Sequence, residues 1–86
     1  MTTVIAYHEV NDSTHWLASP KRKELFEPLG ITHRTFLDPE NPHRVAVLFE
    51  VPDMDAFHAA IQSADGAKAM KQDGVGPETL VLLVGT

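Results

Sequence analysis

Val45-Ala46-Val47-Leu48-Phe49-Glu50-Val51, followed at once by Pro52-Asp53, is the stretch on which the fold turns. Its β-branched and aromatic residues, in a run this short, read as a strand. Apolar side chains occupy both odd and even positions, the pattern of a strand covered on both faces. Pro52 cannot donate to a β-ladder and stops the strand. Asp53 is a good helix N-cap. Met54, Phe57 and Ile61 then recur three and four residues apart, which predicts a helix with one apolar face.

Downstream, Ser63-Ala64-Asp65-Gly66 is rich in turn formers and suggests a break. A short helix from Ala67 to Gln72 is expected, ending at Gly74. Gly76-Pro77 leads into a last strand, Thr79 to Val84. Upstream, Asp38-Pro39-Glu40-Asn41-Pro42 is a turn with two prolines, preceded by a strand from Ile31 to Leu37. Before that, Pro28 and Gly30 close a helical segment running from Lys21 to Phe26. Ser19-Pro20 separates this segment from an earlier one carrying Trp16 and Leu17. A proline inside a helix costs about 3 kcal/mol, so a restart is cheaper, with Ser19 as N-cap and Pro20 in the first turn. Asn11 to Thr14 offers caps for the first segment, and Val4 to Val10 reads as the opening strand. Two halves, each strand–helix–strand, give the order β-α-β-β-α-β. That is the ferredoxin-like α+β arrangement: a four-stranded antiparallel sheet with helices on one face.

The two-residue period puts Val4, Ala6, His8 and Val10 on one face of the first strand, and Ile5, Tyr7 and Glu9 on the other. The last strand sets Leu80, Leu82 and Val84 against Val81 and Leu83. Both faces are apolar, so the face away from the helices should be covered too. A second copy of the chain across a two-fold axis is the simplest cover.

Eighty-six residues make one domain, residues 1–86, with a core too small to be generous. A net charge of -5 argues against nucleic acid and against anionic membrane surfaces. The absence of cysteine excludes disulfides and thiolate chemistry. The start of the chain shows no signal-peptide pattern, and Leu80 to Val84 is too short to span a bilayer, so a soluble cytoplasmic protein is expected. The five histidines have no metal-ligand spacing, and no glycine-rich phosphate loop is present, so neither metal nor nucleotide is expected. Lys21-Arg22-Lys23 reads as a solvated helix face.

Several residues carry the resemblance to a known group. They are His8-x-Val10-x-Asp12 with Trp16, Gly30 before the second strand, the Asp38–Pro42 turn leading into Val45–Val51, Ala69-Met70, and Gly74-Val75-Gly76-Pro77. With these the chain resembles, nearly end to end, the dimeric α+β-barrel proteins that include antibiotic-biosynthesis-type monooxygenases and polyketide-cyclase-like proteins. The resemblance implies a homodimer with a small-molecule cavity. It implies chemistry that often needs no metal or organic cofactor, such as oxygenation, cyclisation or isomerisation of an apolar or aromatic metabolite. Ser19-Pro20 departs from it, since an unbroken helix is expected there.

Within that frame His8 is the candidate acid–base group, with His33 as a second if both share a face of the sheet. Trp16 is a candidate aromatic wall, and Phe49 and Met70 are candidate pocket lining. Arg34 is placed either on a substrate carboxylate or phenolate or in an ion pair with Glu9, Glu50 or another acid across the sheet. Tyr7 is a candidate contact on the opposite face from His8, so the two cannot share one cavity. A non-catalytic ligand-binding or interaction module is the alternative.

Overall fold

The computed structural model describes residues Met1–Thr86. Its elements are β1 (Thr2–Glu9), α1 (Ser13–Ala18), α2 (Lys21–Phe26), β2 (Thr32–Leu37), β3 (Arg44–Val51), α3 (Met54–Gln62), α4 (Ala64–Gln72) and β4 (Val81–Val84). A 3₁₀ turn, Glu27–Leu29, extends α2, and another, Pro77–Thr79, precedes β4. The strands form one antiparallel sheet in the order β2-β3-β1-β4. This is the expected ferredoxin-like α+β fold.

The two halves begin their helices in the same way. Asp12 accepts the amides of Thr14 and His15, and Asp53 accepts those of Asp55 and Ala56. Each carboxylate satisfies donors that the first helical turn leaves open. Each half then breaks its helix at a serine. Ser19 Oγ accepts the Lys21 amide at 3.2 Å, but the helix restarts one residue later than expected, with Pro20 at the N-cap position and Lys21 first. Ser63 ends α3 and caps α4, its hydroxyl accepting the Gly66 amide at 3.0 Å. The break expected over Ser63–Gly66 is therefore a single residue, and α4 starts at Ala64 rather than Ala67. A serine that donates to Ala60 O and accepts from Gly66 N needs no longer loop. Gly30 ends the 3₁₀ turn after α2 in the left-handed region, φ +72°, which favours glycine.

The last strand also differs from its expected span. Thr79 belongs to the 3₁₀ turn, and its Oγ1 accepts the Glu9 amide at 2.9 Å while donating to the Gly76 carbonyl. A side chain thus replaces the backbone ladder at this end, and β4 begins at Val81.

The helices cover one face of the sheet. Val4, Ala6, His8, Val45, Val47, Phe49 and Val51 point toward them and are buried. Phe26, Phe49 and Phe57 meet with ring centroids 4.9 to 5.7 Å apart, in the middle of the core. The register aligns Arg34, Leu48, Ile5 and Leu83 in one row across the opposite face, and Phe36, Ala46, Tyr7 and Val81 in the next. That face is apolar along its middle, and no part of the chain packs over it: Tyr7 is 41% exposed and Leu83 53%. No helix is long and apolar enough to cross a membrane.

Candidate functional site

A cavity of about 80 Å³ lies between the inner sheet face and the helices. Its floor is Ala6 and His8 of β1 with Val47 and Phe49 of β3. Its roof comes from Trp16, Arg22 and Phe26 on one side and Ala69 and Met70 of α4 on the other, with Leu80 and Leu82 at the β4 edge. Its polar side chains are His8 and Arg22.

Strand alternation aims His8 inward, where it is 7% exposed. Its ring meets that of Trp16 edge-on, with centroids 5.8 Å apart. Its Nδ1 is buried with no hydrogen-bond partner. Leaving such an atom unpaired costs about 1–3 kcal/mol, so it calls for an explanation. Burial pushes the imidazole below its usual range. Arg22 adds to that, while the Glu9 backbone and the Asp73 carboxylate pull it up. At neutral pH His8 is therefore an uncharged proton acceptor.

Arg22 corrects the sequence reading. It is not on a solvated face: its side chain is 11% exposed, and its Asp73 partner 5%. The restart at Ser19-Pro20 turns α2 so that Arg22 shares a face with Leu25 and Phe26, three and four residues on. The guanidinium lies 4.2 Å from the Trp16 ring centroid, a cation–π contact. Nη2 donates to the Trp16 carbonyl at 2.7 Å, and Nη1 to Asp73 Oδ2 at 3.4 Å. Ser19 donates to the other oxygen of Asp73. Burial lowers the Arg22 pKa and Asp73 opposes the shift. The Nε atom is buried and has no partner. Sequence reasoning missed Arg22 and Asp73. The i, i+3, i+4 spacing from Arg22 to Leu25 and Phe26 was the available signal; Asp73, 51 residues away, left none.

The other predicted residues divide between the faces. Trp16, Phe49 and Met70 line the cavity with His8. His33 is on the same sheet face as His8, paired with Phe49 in register, and its ring centroid lies 6.3 Å from that of Phe49. It does not reach the cavity. Its register position is four residues along β3 from that of His8, about 13 Å, and it is two strands away. The two histidines thus form no common pocket. Burial, with a smaller push from Arg22, lowers the His33 pKa. Tyr7 and Arg34 lie on the outer face. Arg34 sits over the Phe36 ring at 5.5 Å instead of pairing with Glu9 or Glu50. Glu50 accepts from Thr3 Oγ1 at 3.0 Å. No cluster of three histidine or carboxylate groups able to hold a metal is present.

No protein-family profile matches the chain, and no characterised protein matches it in sequence. Solved structures do match over its whole length. SnoaB, a cofactor-independent oxygenase from Streptomyces nogalater, superposes with a TM-score of 0.74 at 14% identity, over 99% of this chain and 90% of that one. A structure described as an antibiotic biosynthesis monooxygenase gives 0.67 at 16%, over 100% and 97%. An EthD family protein from Bacillus halodurans gives 0.58 at 17%, over 100% and 97%. Identities this low establish architecture and nothing finer. The chain therefore has the ferredoxin-like α+β fold of the antibiotic biosynthesis monooxygenase structures.

Proposed function

We propose that this protein is a soluble cytoplasmic homodimer that takes a small, largely apolar molecule into the cavity under its helices. It acts on that molecule without metal or organic cofactor, with His8 moving a proton. The observation that carries the reading is the unpartnered Nδ1 of a buried histidine in an otherwise apolar cavity. A neutral imidazole there is a proton acceptor at neutral pH. One proton transfer is enough to start oxygenation by dioxygen, ring closure or isomerisation. SnoaB, with the same fold, is a cofactor-independent oxygenase, which supports the first of these. The apolar outer face supports the dimer, because a second copy would cover Ile5, Tyr7, Phe36 and Leu83.

A second reading, a ligand-binding module without turnover, is favoured by one observation: apart from the ion-paired Arg22, His8 is the only ionisable side chain lining the cavity. Native mass spectrometry of gently purified protein, followed by incubation of any released ligand with wild type and His8→Ala, separates the two. Conversion by wild type and none by the folded variant supports catalysis. Retained full conversion by His8→Ala removes His8 from the proton-transfer role, and a ligand bound but unchanged by wild type supports the binding module.

A further inference from the structure

We infer that the cavity selects an uncharged ligand bearing a hydroxyl group, held between Arg22 Nε–H and His8 Nδ1, and rejects the carboxylate of the same shape. The inference rests on the ligand-binding reading above and names the chemistry of the ligand.

Two buried polar atoms lack partners in this chain, His8 Nδ1 and Arg22 Nε, and both belong to side chains lining the one apolar cavity. Both side chains also pack against Trp16, His8 edge-on and Arg22 over its ring. Native proteins leave few such atoms unsatisfied, and a ligand is one reason to find two together.

The donor–acceptor inventory narrows the ligand. Arg22 Nε is a donor only, so it needs an acceptor. Each of its terminal nitrogens already has one partner, Asp73 for Nη1 and the Trp16 carbonyl for Nη2. In the tautomer protonated on Nε2, neutral His8 presents Nδ1 as an acceptor. A hydroxyl group accepts from the first and donates to the second.

Charge balance excludes the anion. The Arg22 cation already faces the Asp73 carboxylate, and His8 is held neutral by burial, so the charges at the site sum to zero. A carboxylate would bring an uncompensated charge into an apolar cavity. Size narrows the ligand further. About 80 Å³ is near half of the roughly 150 Å³ apolar cavity that takes up benzene. A branched group of a few carbons fits, whereas a ring would need α4 to move or must protrude.

The test uses nuclear magnetic resonance on the intact protein at pH 7, observing the Met70 methyl group and the Arg22 Nε–H. Xenon, tert-butanol and pivalate are the probes. The expected result is that xenon shifts the Met70 methyl, tert-butanol shifts both signals saturably, and pivalate at equal concentration binds at least about tenfold more weakly, a difference of 1.4 kcal/mol. Equal or tighter binding of pivalate overturns the charge selection. A tert-butanol response at Met70 that leaves Arg22 Nε–H unmoved overturns the placement of the hydroxyl. If xenon leaves Met70 unmoved, the cavity admits nothing, and the ligand-binding reading fails together with this one.

Discussion

Replacing Gly66 with alanine is expected to destabilise the protein, against the intrinsic preference of a helix. In an unconstrained helix interior this exchange stabilises by about 1 kcal/mol. Gly66 sits in the first turn of α4, where its amide donates to the Ser63 cap. A Cβ there would stand 2.3 Å from the Ala60 carbonyl oxygen, 2.7 Å from that of Ile61 and 3.1 Å from the Ile61 carbonyl carbon. Close carbon–oxygen contacts are about 3.3 Å or longer, so α4 must retreat from the end of α3 by roughly 1 Å. The obstructing atoms are backbone and cannot rotate aside. The Ala60 oxygen is also held by the Ser63 amide at 3.3 Å and the Ser63 hydroxyl at 2.6 Å. Overpacking costs about 1–3 kcal/mol and loss of the serine cap about 1 kcal/mol. After subtracting the helix preference, a net loss of about 2 kcal/mol is expected. For a domain of this size that lowers Tm by about 8–16 °C. Urea unfolding at fixed protein concentration measures it, as a lower midpoint with an unchanged slope. An alanine variant as stable as wild type, or more so, refutes the reasoning.

Three further perturbations test the site and the assembly. The depressed His8 and His33 pKa values mean that the unfolded chain binds more protons than the native one below about pH 6.5. Stability is therefore complete above that pH and falls as pH drops toward the folded-state values; His8→Phe should flatten the fall, and an unchanged profile in urea titrations would remove His8 as its source. Asp73→Asn leaves Arg22 buried without its counter-charge and should cost about 3–5 kcal/mol in urea unfolding, so a loss under 1 kcal/mol would show that the pair is effectively solvated. On the proposed dimer, Ile5→Asp puts a charge in the middle of the outer face, so sedimentation should show a dimeric wild type and a folded monomeric variant; a dimer that survives the change places the interface elsewhere, and a monomeric wild type refutes the proposed dimer.

What the sequence made legible was local. Strand β3, the Asp53 cap and the Phe57 face are written in consecutive residues, as is the proline restart. His8 and Phe49 could be proposed from their places on strands, Trp16 from its aromatic character and Met70 as an apolar filler on a helix. Arg22 was missed because the charges of Lys21 and Lys23 suggested water, while its helical spacing to Leu25 and Phe26 pointed to the core. The pairing of Arg22 with Asp73 depends on how α2 and the end of α4 meet, and no short-range pattern encodes that. The separation of His8 from His33 is a matter of register. Both the shared face and the offset along β3 are fixed only once three strands have aligned.

The short strand β4 has a further consequence. It lies at the edge of the sheet and pairs with β1 at four positions, Val4 to Tyr7, with the Gly85 amide closing on Thr3. Leu80 and Leu82, at and beside that edge, form part of the cavity wall. Edge segments with few buried contacts open locally at a fraction of the global unfolding free energy. Fraying of β4 would therefore open the Leu80–Leu82 side of the cavity to solvent while the rest of the sheet stays paired. Its rate can be read directly, because the Val81 and Leu83 amides, which face β1, should lose protection from hydrogen exchange well before those of Val45 and Val47.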